Sequence, residues 1–299
     1  MAKRTKKSHV RLWITLLAAL LLLVFKEWPK GDGVSSQSSE KRVESTSTVA
    51  IQKPRNSDVS TPSLNVDETQ LPPSNIRDFD SAKGHLRRMF SRGRDFYCNC
   101  SYDFTRKPQV DPSSCGLSSK ADRAKRIEWE HVVPASFYGR QFTAWKKGDP
   151  ACRGRDKKGR QCARKVSPVF RQIEGDLYNL VPAVGELNRV RGDNVYGEIP
   201  GEPREFGACD FETLGNVTEP KSDIRGDVAR IYFYMDARYP EYKIVSEDNQ
   251  ALFEQWAAAD PIDAAERERV RKIEAVQGNS FFIGRLSRSE AKTLAPRLQ

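Results

Sequence analysis

Apolar and polar positions recur with different periods along the chain, and the changes of period divide it into segments. Leu12 to Phe25 is a run of fourteen residues broken only by Thr15, preceded by a basic leader and followed by Lys26-Glu27-Trp28-Pro29-Lys30. Such a run matches the hydrophobic region of a secretory signal and falls short of the ~20 residues of a full membrane span. No small-x-small cleavage site follows closely, so the expectation is export, with residues 1–30 either cleaved inefficiently or kept as an anchor that holds the basic leader in the cytoplasm. Residues 31–75 lose the apolar pattern. Ser35-Ser36-Gln37-Ser38-Ser39, Thr61-Pro62-Ser63 and Leu71-Pro72-Pro73-Ser74 offer too little apolar surface to offset the entropy of ordering, so the segment reads as a linker.

Periodicity returns near Arg77. Phe79, Ala82, Leu86, Met89, Phe90 and Phe96 have helical spacing over residues 77–96, and the alternation from Phe96 to Tyr102 favours a strand. Ile127 to Ala135 sets the carboxylate of Glu130, the imidazole of His131 and the β-branched pair Val132-Val133 side by side, with Pro134 to end whatever strand they form. Ala135 to Trp145 reads as loop or helix, and a helix is expected from Ala183 with Pro182 in its first turn. Val228, Ile231, Tyr232, Met235 and Tyr239 recur at helical intervals and predict a core helix over residues 225–239, while Leu252, Phe253 and Trp256 mark one over 248–260. Pro261 is placed to open another helix over 261–276, whose Glu266-Arg267-Glu268-Arg269 reads as a solvated face. No internal repeat is evident.

Charge alters this picture only in part. The formal net charge is +10, yet residues 1–30 hold seven basic against one acidic side chain and residues 31–75 four against six, so a surplus of six falls to residues 76–299. A body that is moderately basic suits an anionic partner without requiring one. Residues 146–165 concentrate the effect, with Lys146, Lys147, Arg153, Arg155, Lys157, Lys158, Arg160, Arg164 and Lys165 against Asp149 and Asp156 alone. A phosphate backbone would neutralise them; a solvated loop is the equal alternative. Arg225 and Arg230 are further candidates for a nucleic-acid backbone. All six cysteines lie in the body, and an even number in an exported chain argues for disulfides. Local loops favour Cys100 with Cys115 and Cys152 with Cys162, leaving Cys98 with Cys209. A zinc site is disfavoured because no Cys-x-x-Cys spacing occurs. Of three histidines, His131 is the one best placed for proton chemistry near neutral pH, against the alternative of a satisfied core histidine.

Glu128-Trp129-Glu130-His131-Val132-Val133-Pro134-Ala135, Glu174 to Ala183 (EGDLYNLVPA) and Gly185-Glu186-Leu187-Asn188 occur in the order that strongly resembles the bacterial endonuclease I family, and the match continues through Phe206 to Phe211, Arg225 to Met235 and Gln277-Gly278-Asn279. The resemblance covers about residues 82–283. It implies an α+β fold with a ββα-metal (His-Me finger) core surrounded by helices and stabilised by disulfides. The domain plan is then a signal or anchor over 1–30, a linker over 31–75, a nuclease domain over 76–285 and a basic tail over 286–299.

By the same resemblance, His131 is the general base that deprotonates water, and Glu130 and Asn188 ligate one divalent cation, Mg²⁺ with Mn²⁺ or Ca²⁺ as substitutes. Arg160 meets the developing phosphorane charge, with Arg155 and Arg164 as rivals for that position. Glu174 supports the active-site edge as a third catalytic residue. The implied function is an exported, periplasmic or secreted monomeric endonuclease that cleaves DNA and RNA through backbone contacts and leaves 5′-phosphate ends. These residue types suit such chemistry, since neutral imidazole accepts a proton near pH 7, and a hard cation bound by two protein oxygens keeps positions open for a phosphate. Glu130 and His131 would face opposite sides of a regular strand, so they are expected at its distorted end. Two other readings are an exported nucleic-acid-binding protein for DNA uptake or scavenging without turnover, and a disulfide-stabilised adhesion module on a membrane tether.

Overall fold

Asp78 starts the first helix by accepting the backbone N–H of Ser81 at 2.7 Å, and α1 (Phe79–Met89) then buries Ala82 and Leu86. The computed structural model describes residues 71–201 and 203–280, so the leader, most of the linker and the tail lie outside the described residues. Among those described, no helix is long and apolar enough to cross a membrane. The chain is fastened even before Arg77. The carbonyls of Pro72 and Pro73 accept from Gln172 and Arg238, both at 2.6 Å, and Ile76 is buried.

The helix expected to reach residue 96 ends at Phe90, because β1 (Arg92–Arg94) follows at once. It pairs antiparallel with β2 (Ser101–Asp103), which pairs with β3 (Val110–Asp111). The strand expected from Phe96 shrinks to these last residues. The buried carboxylate of Asp95 accepts the N–H groups of Tyr97, Cys98 and Cys100 and so removes the donors a ladder would use. Burial pushes the Asp95 carboxyl up to about 6. Disulfides join Cys98 to Cys209, Cys100 to Cys115 and Cys152 to Cys162, the pairing expected from the local loops.

The next pair of strands brings two distant sequence motifs together in space. β4 (Ile127–His131) and β5 (Leu180–Val184) run antiparallel, in register from Ile127↔Val184 to His131↔Leu180. Pro182 lies inside β5 and does not open a helix. Its carbonyl faces away from β4, accepting from Phe96 N–H at 2.8 Å, so the proline nitrogen occupies the side where no ladder bond is due. Helix α6 (Gly185–Arg191) therefore starts two residues later than expected, directly after the strand.

Between the two strands run α2 (Ala135–Gly139), α3 (Thr143–Lys146), α4 (Arg160–Val166) and α5 (Pro168–Glu174). The basic stretch read as a loop to residue 165 is one only to Gly159, after which α4 begins. A third sheet has the order β6 (Val195–Tyr196), β8 (Val217–Pro220), β7 (Phe211–Leu214), with β6 and β8 parallel. α7 (Arg225–Arg238) buries Val228, Ile231, Tyr232 and Met235 as its spacing predicts. Buried Asp176 ties this helix to the centre, accepting from the hydroxyls of Tyr234 and Tyr239 at 2.9 Å and from Gln277 at 3.0 Å.

α8 (Glu247–Ala259) and α9 (Ala264–Gln277) complete the described chain. Pro261 precedes α9, which is capped instead by Asp263 on the N–H of Glu266 at 2.7 Å. Two expectations about charge fail here. Arg230 is buried in a forked pair with Glu266, and Arg225 pairs with Glu219, so neither guanidinium is presented to a nucleic acid. Nor do residues 266–269 form a solvated face throughout: Arg269 donates to the carbonyls of Leu177, Tyr178 and Leu180 and clamps the entry to β5.

Candidate active site

The end of β4, the start of α2, Arg160 at the start of α4 and Asn188 of α6 border a cleft of about 360 Å³ lined by Glu128, Glu130, His131, Arg160 and Asn188. Pairing stays regular through His131↔Leu180, so the distortion expected at Glu130-His131 is absent from the ladder; the two share the cleft because the strand stops there. Beyond it, the chain is held by Asn179, whose side chain accepts from Val133 N–H at 2.7 Å and donates to the Val133 carbonyl at 3.0 Å.

His131 is buried and its tautomer is fixed by its partners. Nε2 lies 2.9 Å from the Glu174 carbonyl oxygen, which can only accept, so Nε2 carries the proton and Nδ1 keeps a lone pair. That nitrogen faces an Arg160 Nη2 donor at 3.4 Å. Burial first, and then the positive charge of Arg160, hold the imidazole well below its usual range, which keeps it neutral. Phe79 packs against the ring at 4.8 Å, and the guanidiniums of Arg160 and Arg164 lie 5.7 and 5.5 Å from the centre of the Phe79 ring.

Glu130 is 3 % exposed, and burial raises its carboxyl above the usual range against the opposing pull of Arg191. One oxygen, Oε1, accepts from the Tyr97 hydroxyl and from Arg191, both at 2.9 Å; Tyr97 in turn meets the Tyr196 hydroxyl at 2.7 Å. Fully buried Arg191 also donates to the carbonyls of His131, at 2.7 Å, and Val132, and lies over the Tyr196 ring at 4.6 Å. The other oxygen of Glu130 has no protein donor among the described residues, and neither has Oδ1 of Asn188.

Asn188 stands in the middle of α6, where its Nδ2 donates to Glu128 at 3.1 Å and not to Glu130. Glu128 is itself gripped by Arg123, with Nε and Nη2 donating at 2.9 and 2.8 Å. Close packing makes glycine necessary at position 185: a Cβ there would lie 2.7 Å from Glu128 Oε1 and 2.9 Å from the Arg123 carbonyl. Glu174 is fully buried. Its carboxylate is shared by Arg160 at 2.5 Å and by both Nε and Nη2 of Arg164 at 2.7 and 2.6 Å. Arg164 is thereby closed off by its fork, Arg155 sits exposed in a short turn, and Arg160 alone of the three lines the cleft.

Sequence reasoning thus found the imidazole, one carboxylate, the amide and the arginine that share the cleft. It missed Arg123, Arg191, Tyr97, Tyr196 and Phe79, which position them. Arg191 carried a usable signal: helical spacing sets it three residues past Asn188, on the side of α6 that turns inward with Leu187.

An unprotonated imidazole nitrogen, free carboxylate and amide oxygens and a guanidinium around one opening are groups that can accept a proton and stabilise an anion there. The endonuclease I family model matches residues 74–283. The chain is 37 % identical over 214 residues to an extracellular deoxyribonuclease of Aeromonas hydrophila, covering 69 % of this chain and 87 % of that one. It is 36 % identical over 220 residues to a periplasmic deoxyribonuclease of the same organism, covering 71 % and 87 %. Endonuclease-1 of Buchnera aphidicola subsp. Acyrthosiphon pisum is 38 % identical over 189 residues, covering 62 % and 70 %. The chain belongs to the endonuclease I family.

Proposed function

We propose that this protein is an exported, periplasmic or secreted endonuclease that uses a divalent cation to hydrolyse phosphodiester bonds in DNA and RNA, leaving 5′-phosphate ends, and that β4, β5 and α6 form its ββα-metal core. The observation that carries the reading is the fixed tautomer of His131, with its basic nitrogen in a cleft shared with Glu130, Asn188 and Arg160.

His131 Nδ1 takes the proton of the attacking water while Nε2–H stays on the Glu174 carbonyl, which keeps the ring from turning. Arg160, oriented through Nε by Glu174, offers its remaining donors to the non-bridging oxygens as charge builds on phosphorus. Glu174 acts through the arginines and the imidazole and has no contact with substrate. The two oxygens without a donor among the described residues, one on Glu130 and Oδ1 on Asn188, suit a hard cation, which keeps several waters and takes few of its oxygen ligands from the protein. When bound, Mg²⁺ supplies positive charge at the phosphate and at the departing 3′ oxygen. The cleft touches the polymer only through such phosphate chemistry, and among the described residues no element for reading bases is evident, which supports action on both nucleic acids.

The test is digestion of plasmid DNA and of RNA by the full chain, with and without Mg²⁺, wild type beside His131→Ala. Loss of the base should lower the rate by ~10²–10⁴-fold, with little change in the melting temperature. Equal cleavage by both proteins, or cleavage indifferent to EDTA, would overturn the assignment.

A further inference from the structure

The loop that leaves the cleft between Trp145 and Arg160 encloses a hollow of its own. Both of these residues line the cleft, and the N–H of Gly159 donates to the Trp145 carbonyl at 3.0 Å, closing the loop at its neck. Inside the loop, Gly148 adopts φ +93°, and a Cβ at that position would lie 2.3 Å from the Lys157 carbonyl oxygen, so a side chain is excluded where the two limbs meet. The Cys152–Cys162 disulfide fastens the outer part to α4. What results is a recess of about 480 Å³ edged by Lys146, Lys147, Lys157 and Lys158, with Asp149 as its one acid.

The charges of the loop do not cancel internally. Arg160 and Arg164 are occupied by Glu174, and Lys165 Nζ donates to the Ala151 carbonyl at 2.6 Å. Asp149 caps the N–H of Ala151 at 2.8 Å. The four lysines at the recess are exposed and pair with no carboxylate among the described residues. A flexible loop would let such ammonium groups spread apart, but a disulfide, a glycine contact and a closed neck fix these on two facing limbs. Their mutual repulsion is relieved by an anion that enters the recess.

We propose that this recess is a second phosphate site, which holds the backbone of a polynucleotide away from the bond being cut. The inference rests on the nuclease reading and extends it, because it names the part of the substrate met outside the cleft. Two features favour a polynucleotide over an anionic membrane. The recess is concave where a bilayer is flat, and its loop is flanked by two residues that line the cleft, Trp145 and Arg160, so one strand can reach both. Repeating phosphates then supply several contacts at once, each releasing counterions.

The experiment compares the full wild-type chain with Lys146→Gln/Lys147→Gln/Lys157→Gln/Lys158→Gln and with the matching Lys→Arg variant. Binding to duplex DNA is measured in EDTA over a range of salt, and hydrolysis of bis(p-nitrophenyl) phosphate, too small to span both sites, is measured in Mg²⁺. The glutamine variant should bind DNA at least about tenfold more weakly at low salt, and its slope of log K against log salt should fall by about 0.9 for each lysine that meets a phosphate. The arginine variant should retain binding, and the small diester should be cut at the wild-type rate by all three proteins. An unchanged DNA affinity and salt slope in the glutamine variant overturns the proposal. So does weakened binding to phosphatidylglycerol vesicles with DNA binding intact, which would make the recess a lipid site. Should wild type hydrolyse neither DNA nor the small diester, the nuclease reading fails while the metal-free binding still decides the phosphate site.

Discussion

Replacing Arg191 by methionine tests whether the site is held from beneath. The guanidinium is fully buried and serves three acceptors: Glu130 Oε1 at 2.9 Å, the His131 carbonyl at 2.7 Å and the Val132 carbonyl. Methionine fills much of the volume but donates nothing. Glu130, 3 % exposed, is then left with the Tyr97 hydroxyl as its donor among the described residues. Breaking a buried pair from one side costs about 3–5 kcal/mol, and the two orphaned carbonyls place the value toward the upper end. For a domain of this size the melting temperature should fall by about 10 °C. Urea unfolding followed by tryptophan fluorescence measures the loss directly. The double variant Arg191→Met/Glu130→Gln removes the stranded charge and should recover more than about 1 kcal/mol relative to Arg191→Met alone. A single variant that costs under about 1 kcal/mol, or a double variant with no recovery, would refute the idea that Arg191 exists to hold a buried carboxylate.

Other outcomes follow from single contacts. Asn179→Ala strips both hydrogen bonds from the backbone of buried Val133 and should cost about 2–4 kcal/mol in urea unfolding; a loss under about 0.5 kcal/mol would contradict the role given to it. Gly185→Ala drives a methyl against Glu128 and the Arg123 carbonyl, so DNA cleavage should fall by about tenfold for every 1.4 kcal/mol of misplacement of Asn188, despite alanine's better helix propensity; wild-type cleavage would show that the fork on Glu128 is dispensable. Asp95 titrates at about 6 in the folded chain against an ordinary 3.8. The folded state therefore binds the extra proton between those values, and stability should rise as pH falls through that window, by about 3 kcal/mol relative to Asp95→Asn. Parallel pH profiles for the two proteins would dismiss the shift.

What could be read in the sequence, and what could not, divides along the range of the interactions. Helix α7 was legible because its core positions repeat within the element, and the three disulfides because their loops are mostly short. The elements that went astray were decided by side chains reaching across the chain. Asp95 took the amides of a segment whose alternation predicted a strand. Pro182, which composition places at a helix start, is accommodated within β5 because its ring faces the side with no ladder bond. Glu266 and Arg269 read as surface residues only until α9 is set against Arg230 and the carbonyls before β5. Within the site, His131, Glu130 and Asn188 were found because their chemistry is scarce or their motif specific. Their supporting arginines were not, since one arginine among many carries no local mark of burial.

Those arginines also explain how Glu128, Glu130 and Glu174 are tolerated beside a cleft open to an anionic substrate. Glu128 is held by Arg123, Glu130 by Arg191, and Glu174 by Arg160 and Arg164 together. Each carboxylate is matched before substrate arrives, and the set retains one positive charge in excess. Without that arrangement the acidic groups around the imidazole would repel a phosphate entering the cleft. The distribution is asymmetric in a way the chemistry requires. Arg123, Arg164 and Arg191 spend their forks on carboxylates or carbonyls, whereas Arg160 commits Nε to Glu174 and brings Nη2 to the basic nitrogen of His131. Arg160 is thus the guanidinium that a phosphate entering the cleft can draw away from the imidazole, and under the role proposed for His131 substrate binding would uncover the lone pair that accepts the proton of water.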